Sequence, residues 1–578
     1  MLRILFYHAG DTLGFDTSRQ IYLGLAGLYL KTHIDANRPN IANQLHWCLP
    51  KQQKLSDDDL IALIEKEKPD LFCTGHYIWN NRFLLDQLAR IRPLVSKDII
   101  FVAGGPSVDV NINPNFFQEN NFLDYAMYGA GEVAFADLVE SIITNKKLIK
   151  FNTSNIAWYD KEKQQQVVAE FKYVPQSQIS PFTTNEEMFT EMVKDIKQRK
   201  LNVILPYELT RGCPYKCTFC DWNSGLTNKT TRRKGTYQDE LDLFQKLGIH
   251  SLYFADANVG QYEEDIDMVT YLAKKNIEEG AGFVTDGNFS KLRKDNNLKL
   301  YHLLAKSNAA SEHSGFTISV QDTNKQVLEN IDRPDVGWEV HSAMIRELRE
   351  NYPTKPSVVQ LIQGLPGQTV ESWRETLHTV TKEEGVYFQI FVSELLSASP
   401  AARDPKYQEN FKFTYSKADR WNGESVFKGT FAESCVSFTA QDFVDMTILS
   451  SFYTAILHFK AVSPAQVKFS IEGVVNEFIH SQEFNVLRSN LYDNWQNHNK
   501  FYYTIDFDGK PVETPLSGCL FRNTGGKWAW SIKFLKMLSR NITDGTSASD
   551  FIKLNLRMKN GRIELKLKNL DHYLEAQS

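Results

Sequence analysis

Residues 208–223, ELTRGCPYKCTFCDWN, carry Cys213, Cys217 and Cys220, three of the chain's seven cysteines, within eight positions. The spacing Cys-x3-Cys-x2-Cys puts three thiols on one short loop directly after the apolar run NVILPYEL (202–209), which reads as a strand. Seven cysteines in 578 residues are no disulfide framework, so a cluster of thiols reads as a ligand set. Three thiolates can hold three corners of a cubane iron–sulfur cluster, leaving the fourth iron open to a small molecule. Structural zinc is the alternative reading. It needs four ligands, and no further Cys or His lies within 25 residues on either side.

Outward from this loop the chain alternates strand and helix. Strands are predicted at SLYFADAN (251–258), GFVTDGN (282–288), GFTISVQ (315–321), SVVQLIQGLP (357–366) and VYFQIFVSE (386–394). Helices such as YQDELDLFQKLG and EDIDMVTYLAKKN separate them. With 202–209 these make six βα units, a partial parallel barrel over residues 201–400, in which chemistry gathers at the carboxyl ends of the strands.

Upstream, residues 1–150 alternate in the same way. RILFYHA (3–9), DLFCTGH (70–76), IIFVAGGP (99–106) and DYAMYGA (124–130) read as strands. DDDLIALIEKEKP, RFLLDQLARIRPLV and GEVAFADLVESII read as helices, with apolar positions three and four apart. The pattern predicts a doubly wound, Rossmann-like sheet. Its strand ends carry His8, His76, Gly104–Gly105–Pro106 and Gly129–Ala130–Gly131–Glu132. Residues 151–200 read as a polar linker with one charged helical run near 186–200. Residues 401–578 read as α+β, with a helix at 441–459 and a hairpin at 501–513. The fold class expected for the whole chain is α/β.

Composition bounds the function. A hydrophobic fraction of 42%, a charged fraction of 23% and a net charge of −5 are those of a globular protein. They give no reason to expect nucleic acid or an anionic membrane as partner. The opening MLRILFYHAG, broken by His8 and Gly10, is too short to span a bilayer, and no stretch reaches eighteen uninterrupted apolar residues. A cytoplasmic protein is expected. Cys48, Cys73 and Cys519 lie in apolar surroundings and read as small buried hydrophobes. No GxxxxGK[ST] phosphate loop occurs. His302, His313 and His341 read as structural or surface residues, and the pairs Glu263–Glu264 and Glu383–Glu384 as exposed helix faces.

The three-cysteine loop after the first strand of a partial barrel resembles the radical S-adenosylmethionine (SAM) superfamily. The resemblance implies a [4Fe–4S] cluster on Cys213, Cys217 and Cys220 whose open iron chelates SAM. It implies reductive cleavage of SAM to methionine and a 5′-deoxyadenosyl radical that takes hydrogen from an unactivated C–H. Phe219, before the third cysteine, is then expected beside the adenine. Asp256–Ala257–Asn258 in YFADANVG are expected at the SAM amino group, although the family's two-glycine version of that site is absent. SVQDTNKQVLENIDRPD resembles the fourth strand and its helix, placing Ser319, Gln321 and Arg333 near SAM or substrate. LIQGLPGQT resembles the fifth-strand turn, with Gly364, Pro366 and Gly367.

A Rossmann-like domain ahead of the barrel resembles cobalamin-binding members of the superfamily. VAGGPSV and YGAGEVAFADLV look like degenerate versions of their glycine turns. The Asp-x-His-x-x-G motif that ligates cobalt in mutases is missing, and His8 and His76 do not have its spacing. Cobalamin binding and a purely scaffolding role both stay open on these residues. The segment 220–249 and its DAN turn resemble radical SAM enzymes that modify ribosomal peptides, with proteusin-type peptide epimerases as the leading comparison. On that reading Lys229, Arg232 and Arg233 meet SAM's carboxylate or an acidic leader, the alternative being a solvated loop. Cys435, in TFAESCVSFTAQDF, would return hydrogen to a planar α-carbon radical, the alternative being a buried structural cysteine. A ribosomal precursor peptide as substrate and a flavodoxin or ferredoxin as electron donor follow. The other reactions considered are cobalamin-dependent C-methylation and a regulatory iron–sulfur protein without turnover.

Overall fold

The computed structural model describes residues 1–10, 20–77, 79–151, 153–222, 229–310, 315–396, 399–421, 426–462, 468–498, 500–501, 503–507, 510–514, 521–524, 527–530 and 532–548. Cys519 and His313 lie outside these residues. The chain divides into two compact units. The first contains Met1–Ser319, Ile331–Val336 and Leu395–Asn410, and the second contains Val320–Asn330, Gly337–Glu394 and Phe411–Ser578.

The first unit opens with β1 (Leu2–Tyr7), followed by β2 (Gln20–Tyr22), β3 (Leu45–Trp47), β4 (Leu71–Gly75), β5 (Ile100–Gly104), β6 (Tyr125–Met127), β7 (Ile156–Asp160) and β8 (Gln165–Val168). Seven of these form one sheet in the order β3-β1-β4-β5-β6-β7-β8. The first five are parallel, in the doubly wound order whose ligand crevice lies where the winding reverses, between the carboxyl ends of β1 and β4. Alternation along the strands supplies two cores. Leu5, Tyr7, Phe72 and Phe101 pack in one, and Ile4, Phe6, Leu71 and Val102 in the other. Every residue of β4 is buried, as a strand covered on both faces requires. The helix Asp57–Glu67 starts where the Ser56 hydroxyl accepts the Asp59 N–H, with three aspartates in its first turn.

Residues 151–200 are not a bare linker. β7 and β8 pair antiparallel onto the edge left by β6, and the following stretch bonds to Thr231 and Arg232 through Tyr173, Gln176 and Gln178 before the short helix Pro181–Thr184 and the helix Glu186–Gln198. The alternation in IAWYD and QQVV carries this hairpin, but each run is too short to stand out against polar surroundings.

β9 (Asn202–Tyr207) begins the barrel series. It pairs in parallel with β12 (Ser251–Val259), which pairs with β13 (Val284–Phe289). Between them the antiparallel ribbon of β10 (Thr210–Arg211) and β11 (Thr231–Arg232) frames the cysteine loop. On its other edge β9 pairs with β2, so a strand from the N-terminal region extends this sheet to the order β13-β12-β9-β2. β14 (Phe316–Gln321) crosses from the first unit into the second.

In the second unit β15 (Ser357–Gln363) and β16 (Val386–Val392) pair in parallel over seven residues. β17 (Thr414–Trp421) and β18 (Val426–Ser434) form an antiparallel pair. The helix Ala440–Val462 follows, and the expected hairpin pairs Tyr503–Phe507 with Lys510–Thr514. Glu383 is not on an exposed face. It is buried, accepting from Ser342 Oγ at 2.7 Å and paired with Arg346. Among the described residues no helix is long and apolar enough to cross a membrane.

Candidate active site

The cysteine loop leaves β9 at its carboxyl end and is held by its backbone. Gly212 has φ +91, and a Cβ there would stand 2.3 Å from the Lys229 carbonyl oxygen. Only glycine lets the two chain segments approach this closely and turn Cys213 inward. Beyond it, Thr218 N–H donates to the Ile331 carbonyl, Ala401 N–H donates to the Thr218 carbonyl, and the Thr218 hydroxyl donates to Tyr407 Oη at 3.0 Å.

Each thiol has a defined neighbour. Asn258 Nδ2 donates to Cys213 Sγ at 3.1 Å, and the Arg333 cation lies beside Cys217 and acts on its charge. Cys213 and Cys217 are buried, and Cys220 is half-buried. Burial pushes the Cys217 thiol up and the Cys220 thiol to about 12, while Arg333 and Lys291 pull Cys217 back and Lys291 also acts on Cys220. Burial thus outweighs the cationic neighbours and disfavours the thiolates, and a bound metal cluster would supply the charge that favours them. Among the described residues no three His, Cys, Asp or Glu side chains are gathered tightly enough for a single metal ion. A cubane takes its thiolates at separate corners.

Asp256 departs from its expected role. Its carboxylate oxygens accept the N–H groups of Leu209 at 2.7 Å and Thr210 at 2.9 Å, and Arg232 Nη1 stands 3.9 Å away. The side chain ties β12 to the start of the cysteine loop. Burial, with Asp265 beside it, pushes its carboxyl up to about 7 against the pull of those bonds and of Arg232. Asn258 does reach the cluster side. Its Oδ1 accepts from Lys291 Nζ at 2.7 Å, and that ammonium lies 5.1 Å from the Tyr215 ring centroid. Ala257, between them, is buried, and Phe219 is half-buried.

Arg333 is buried, donates to the Ser319 carbonyl at 2.5 Å and leaves its Nε without a hydrogen-bond partner among the described residues. Ser319 thus meets Arg333 through its backbone. Gln321, Gly364, Pro366 and Cys435 belong to the second unit. Gln321 has φ +66 and a buried, unpartnered Oε1, a strained backbone for a side chain of its size. Gly364 (φ +88) and Leu365 give their N–H groups to Gln368 Oε1, and the Pro366 carbonyl accepts from Asn330. Cys435 Sγ lies 3.2 Å from Ser437 Oγ, which accepts the Gly367 N–H at 2.9 Å.

Arg232 and Arg233 are not loop cations waiting for an anion. Arg232 pairs with Asp265 at 2.5 Å, and Arg233 with Glu240 at 2.9 Å, the latter pair fully buried. Lys229 stays exposed. In the N-terminal sheet, His8 and His76 end β1 and β4 at the crevice, and burial holds both imidazoles down to about 4. His76 is bonded to Thr74 and Asn81, whereas His8 Nε2 has no partner among the described residues. Gly24 and Gly75 press on the His8 ring.

Sequence reading missed Lys291 and Arg211, and with it the contact that Arg211 makes with Glu132. Lys291 follows β13, at a strand end where barrel chemistry sits. Arg211 Nη1 donates to Glu132 Oε1 at 2.6 Å, joining the glycine turn after β6 to the residue two before Cys213.

This geometry, a three-thiol loop at the carboxyl end of the first strand of a βα series, defines a radical SAM domain, and residues 207–380 match the Radical SAM superfamily. By class, this part of the chain is similar to radical SAM domains, whose cofactors are a [4Fe–4S] cluster and SAM. It is 28% identical over 332 residues to the cobalamin-dependent radical SAM methyltransferase TokK of Streptomyces tokunonensis, covering 57% of this chain and 47% of TokK. It is also 28% identical over 337 residues to 2-(S-pantetheinyl)-carbapenam-3-carboxylate methyltransferase of Streptantibioticus cattleyicolor, covering 56% and 46%. The chain thus spans less than half the length of these curated relatives. The solved structure of the radical SAM methyltransferase TsrM from Kitasatospora setae, with cobalamin and a [4Fe–4S] cluster bound, shares the fold. The TM-score is 0.56 at 11% identity, over 78% of this chain and 89% of that one. These relatives are methyltransferases, and the expected closeness to peptide epimerases finds no support in them.

Proposed function

We propose that this protein is a cobalamin-dependent radical SAM C-methyltransferase, with residues 1–150 as its corrinoid domain. The observation that carries the reading is the Arg211–Glu132 contact, which brings the glycine-rich carboxyl end of the Rossmann-like sheet against the cluster loop. At the strand ends Gly104 leaves room for a ligand, while Gly75, Gly105 and Gly129 let the turns pack closely on the His8 ring, the His76 carbonyl and the Phe171 ring, where a Cβ would stand 2.9, 2.4 and 2.7 Å away. Tyr77 and the exposed Trp79 stack at 4.8 Å beside them. No residue has the mutase-type spacing for a cobalt ligand, so the domain is read as holding the corrinoid by shape and hydrogen bonds.

When bound, the cluster with SAM supplies hydrogen abstraction, and the corrinoid supplies a transferable methyl group. The chain's own part is positional. Cys213, Cys217 and Cys220 would hold three irons, with Asn258 donating to Cys213 and the Arg333 cation beside Cys217. Phe219 and the Ala257 backbone would line the SAM side, and Lys291 would add positive charge for a carboxylate. An electron donor of the flavodoxin or ferredoxin kind completes the reading.

The test is anaerobic reconstitution of the full chain with iron, sulfide and hydroxocobalamin. Desalting should leave about one corrinoid per chain, and trideuteromethyl-labelled SAM should then transfer its label to substrate. A protein that keeps no corrinoid overturns the proposal. A second reading, peptide epimerisation, is favoured by one observation, the polar setting of Cys435 beside Ser437 and the Gly367 turn. Cys435→Ala keeps product formation if the protein is a methyltransferase. Retained SAM cleavage with lost product, together with solvent deuterium in the wild-type product, favours the epimerase.

A further inference from the structure

We propose that Arg211 is a positioning residue that couples the cluster loop to the corrinoid end of the Rossmann-like sheet, an inference that rests on the methyltransferase reading. The guanidinium has two arms in use. Nη1 holds Glu132 at 2.6 Å and Nη2 holds Glu208 at 3.1 Å. The side chains are 19%, 12% and 23% exposed, so solvent and salt screen these pairs little. Burial works against the charge of Arg211, and the two carboxylates more than offset it, holding its pKa above the ordinary value.

The three partners come from different parts of the fold. Glu132 opens the helix Glu132–Ile143 immediately after Gly129–Ala130–Gly131. Its carboxylate is favoured there by the helix dipole, whatever Arg211 does. Glu208 directly follows β9, and Arg211 lies in β10, whose partner is β11. Asn155 Nδ2 donates to the carbonyl of Ala130 at 3.0 Å, so the turn itself is fixed to the sheet and displaces Glu132 as one piece.

On the cluster side there is no slack. Gly212 packs against the Lys229 carbonyl, and Cys213 comes next. A shift of Arg211 therefore passes to Cys213 instead of being absorbed in the loop. A group seated on the 129–131 turn moves Glu132, and through Arg211 the first cluster ligand. Lysine cannot replace this residue, because one ammonium on a flexible stem does not hold two carboxylates in fixed directions.

The experiment measures SAM Kd on the reconstituted, dithionite-reduced full chain, from the SAM-induced change in the cluster EPR signal, with and without saturating hydroxocobalamin. In the wild type, hydroxocobalamin should tighten SAM binding at least about fivefold. Glu132→Gln should remove that change while SAM still binds, and Arg211→Lys should do the same if the first variant loses its cluster. A wild type that binds hydroxocobalamin with no change in SAM Kd, or variants that keep the full change, overturns the coupling and leaves the methyltransferase reading standing. A wild type that binds no hydroxocobalamin removes both.

Discussion

Gly212→Ala is the sharpest perturbation of the cluster loop. The added methyl would stand 2.3 Å from the Lys229 carbonyl oxygen, more than 1 Å inside ordinary contact, at a residue whose φ is +91. The backbone conformation alone costs an L-residue about 1–2 kcal/mol. The clash is with backbone and not with a yielding side chain, so relief requires the 212 and 229 segments to part, adding roughly as much again. A loss of about 3 kcal/mol confined to the loop raises its open population by roughly two orders of magnitude. The assay is the rate at which an iron chelator strips the reconstituted cluster under anaerobic conditions, with far-UV circular dichroism and Tm as controls for the rest of the fold. The variant should lose iron on the order of a hundred times faster, with the N-terminal sheet intact. A variant that holds its cluster as long as the wild type would refute the claim that this backbone contact sets the position of Cys213.

Asp256→Asn keeps one acceptor and turns an amide donor towards the second backbone N–H, leaving a buried donor unmet. Iron release should quicken roughly tenfold, with SAM Kd unchanged. A raised SAM Kd with normal iron retention would return Asp256 to the role of SAM contact. His76 makes stability fall on acidification. Its folded-state pKa of about 4 lies below the unfolded 6.5, so between these values the unfolded chain binds the proton more tightly. Stability is full above about pH 6.5 and is lost as pH falls towards 4, by up to about 3 kcal/mol. His76→Gln should flatten the fall of Tm over that window, and an unchanged slope would show that another group carries it.

The parts of the fold that were legible in the sequence are those with strong local signals. The thiol spacing located the cluster loop, and the periodicity of six strands, from 202–207 to 386–392, gave the barrel series. The parts that escaped depend on partners far away in the chain. Asp256 looks like a ligand-facing strand-end carboxylate until Leu209 and Thr210, some forty-six residues earlier, are seen to occupy it. Arg232 and Arg233 look like a solvated basic run, but Asp265, 33 residues on, and Glu240, seven residues on in the next helix, pair with them and allow their burial. The β7–β8 hairpin hid in a polar stretch because its pairing edge is supplied by β6. Glu132 carried a recognisable glycine turn, yet nothing local indicates that its carboxylate meets Arg211, 79 residues on.

The proposed chemistry depends on three thiolates holding a four-iron cluster with one iron free for SAM. Mössbauer spectroscopy of the full chain reconstituted with iron-57 tests this directly, by recording the spectrum before and after SAM is added. One iron in four should change its isomer shift when SAM binds, and no cluster should assemble once Cys213, Cys217 and Cys220 are all replaced by alanine. A spectrum that ignores SAM, or a cluster that survives the triple replacement, would contradict the assignment.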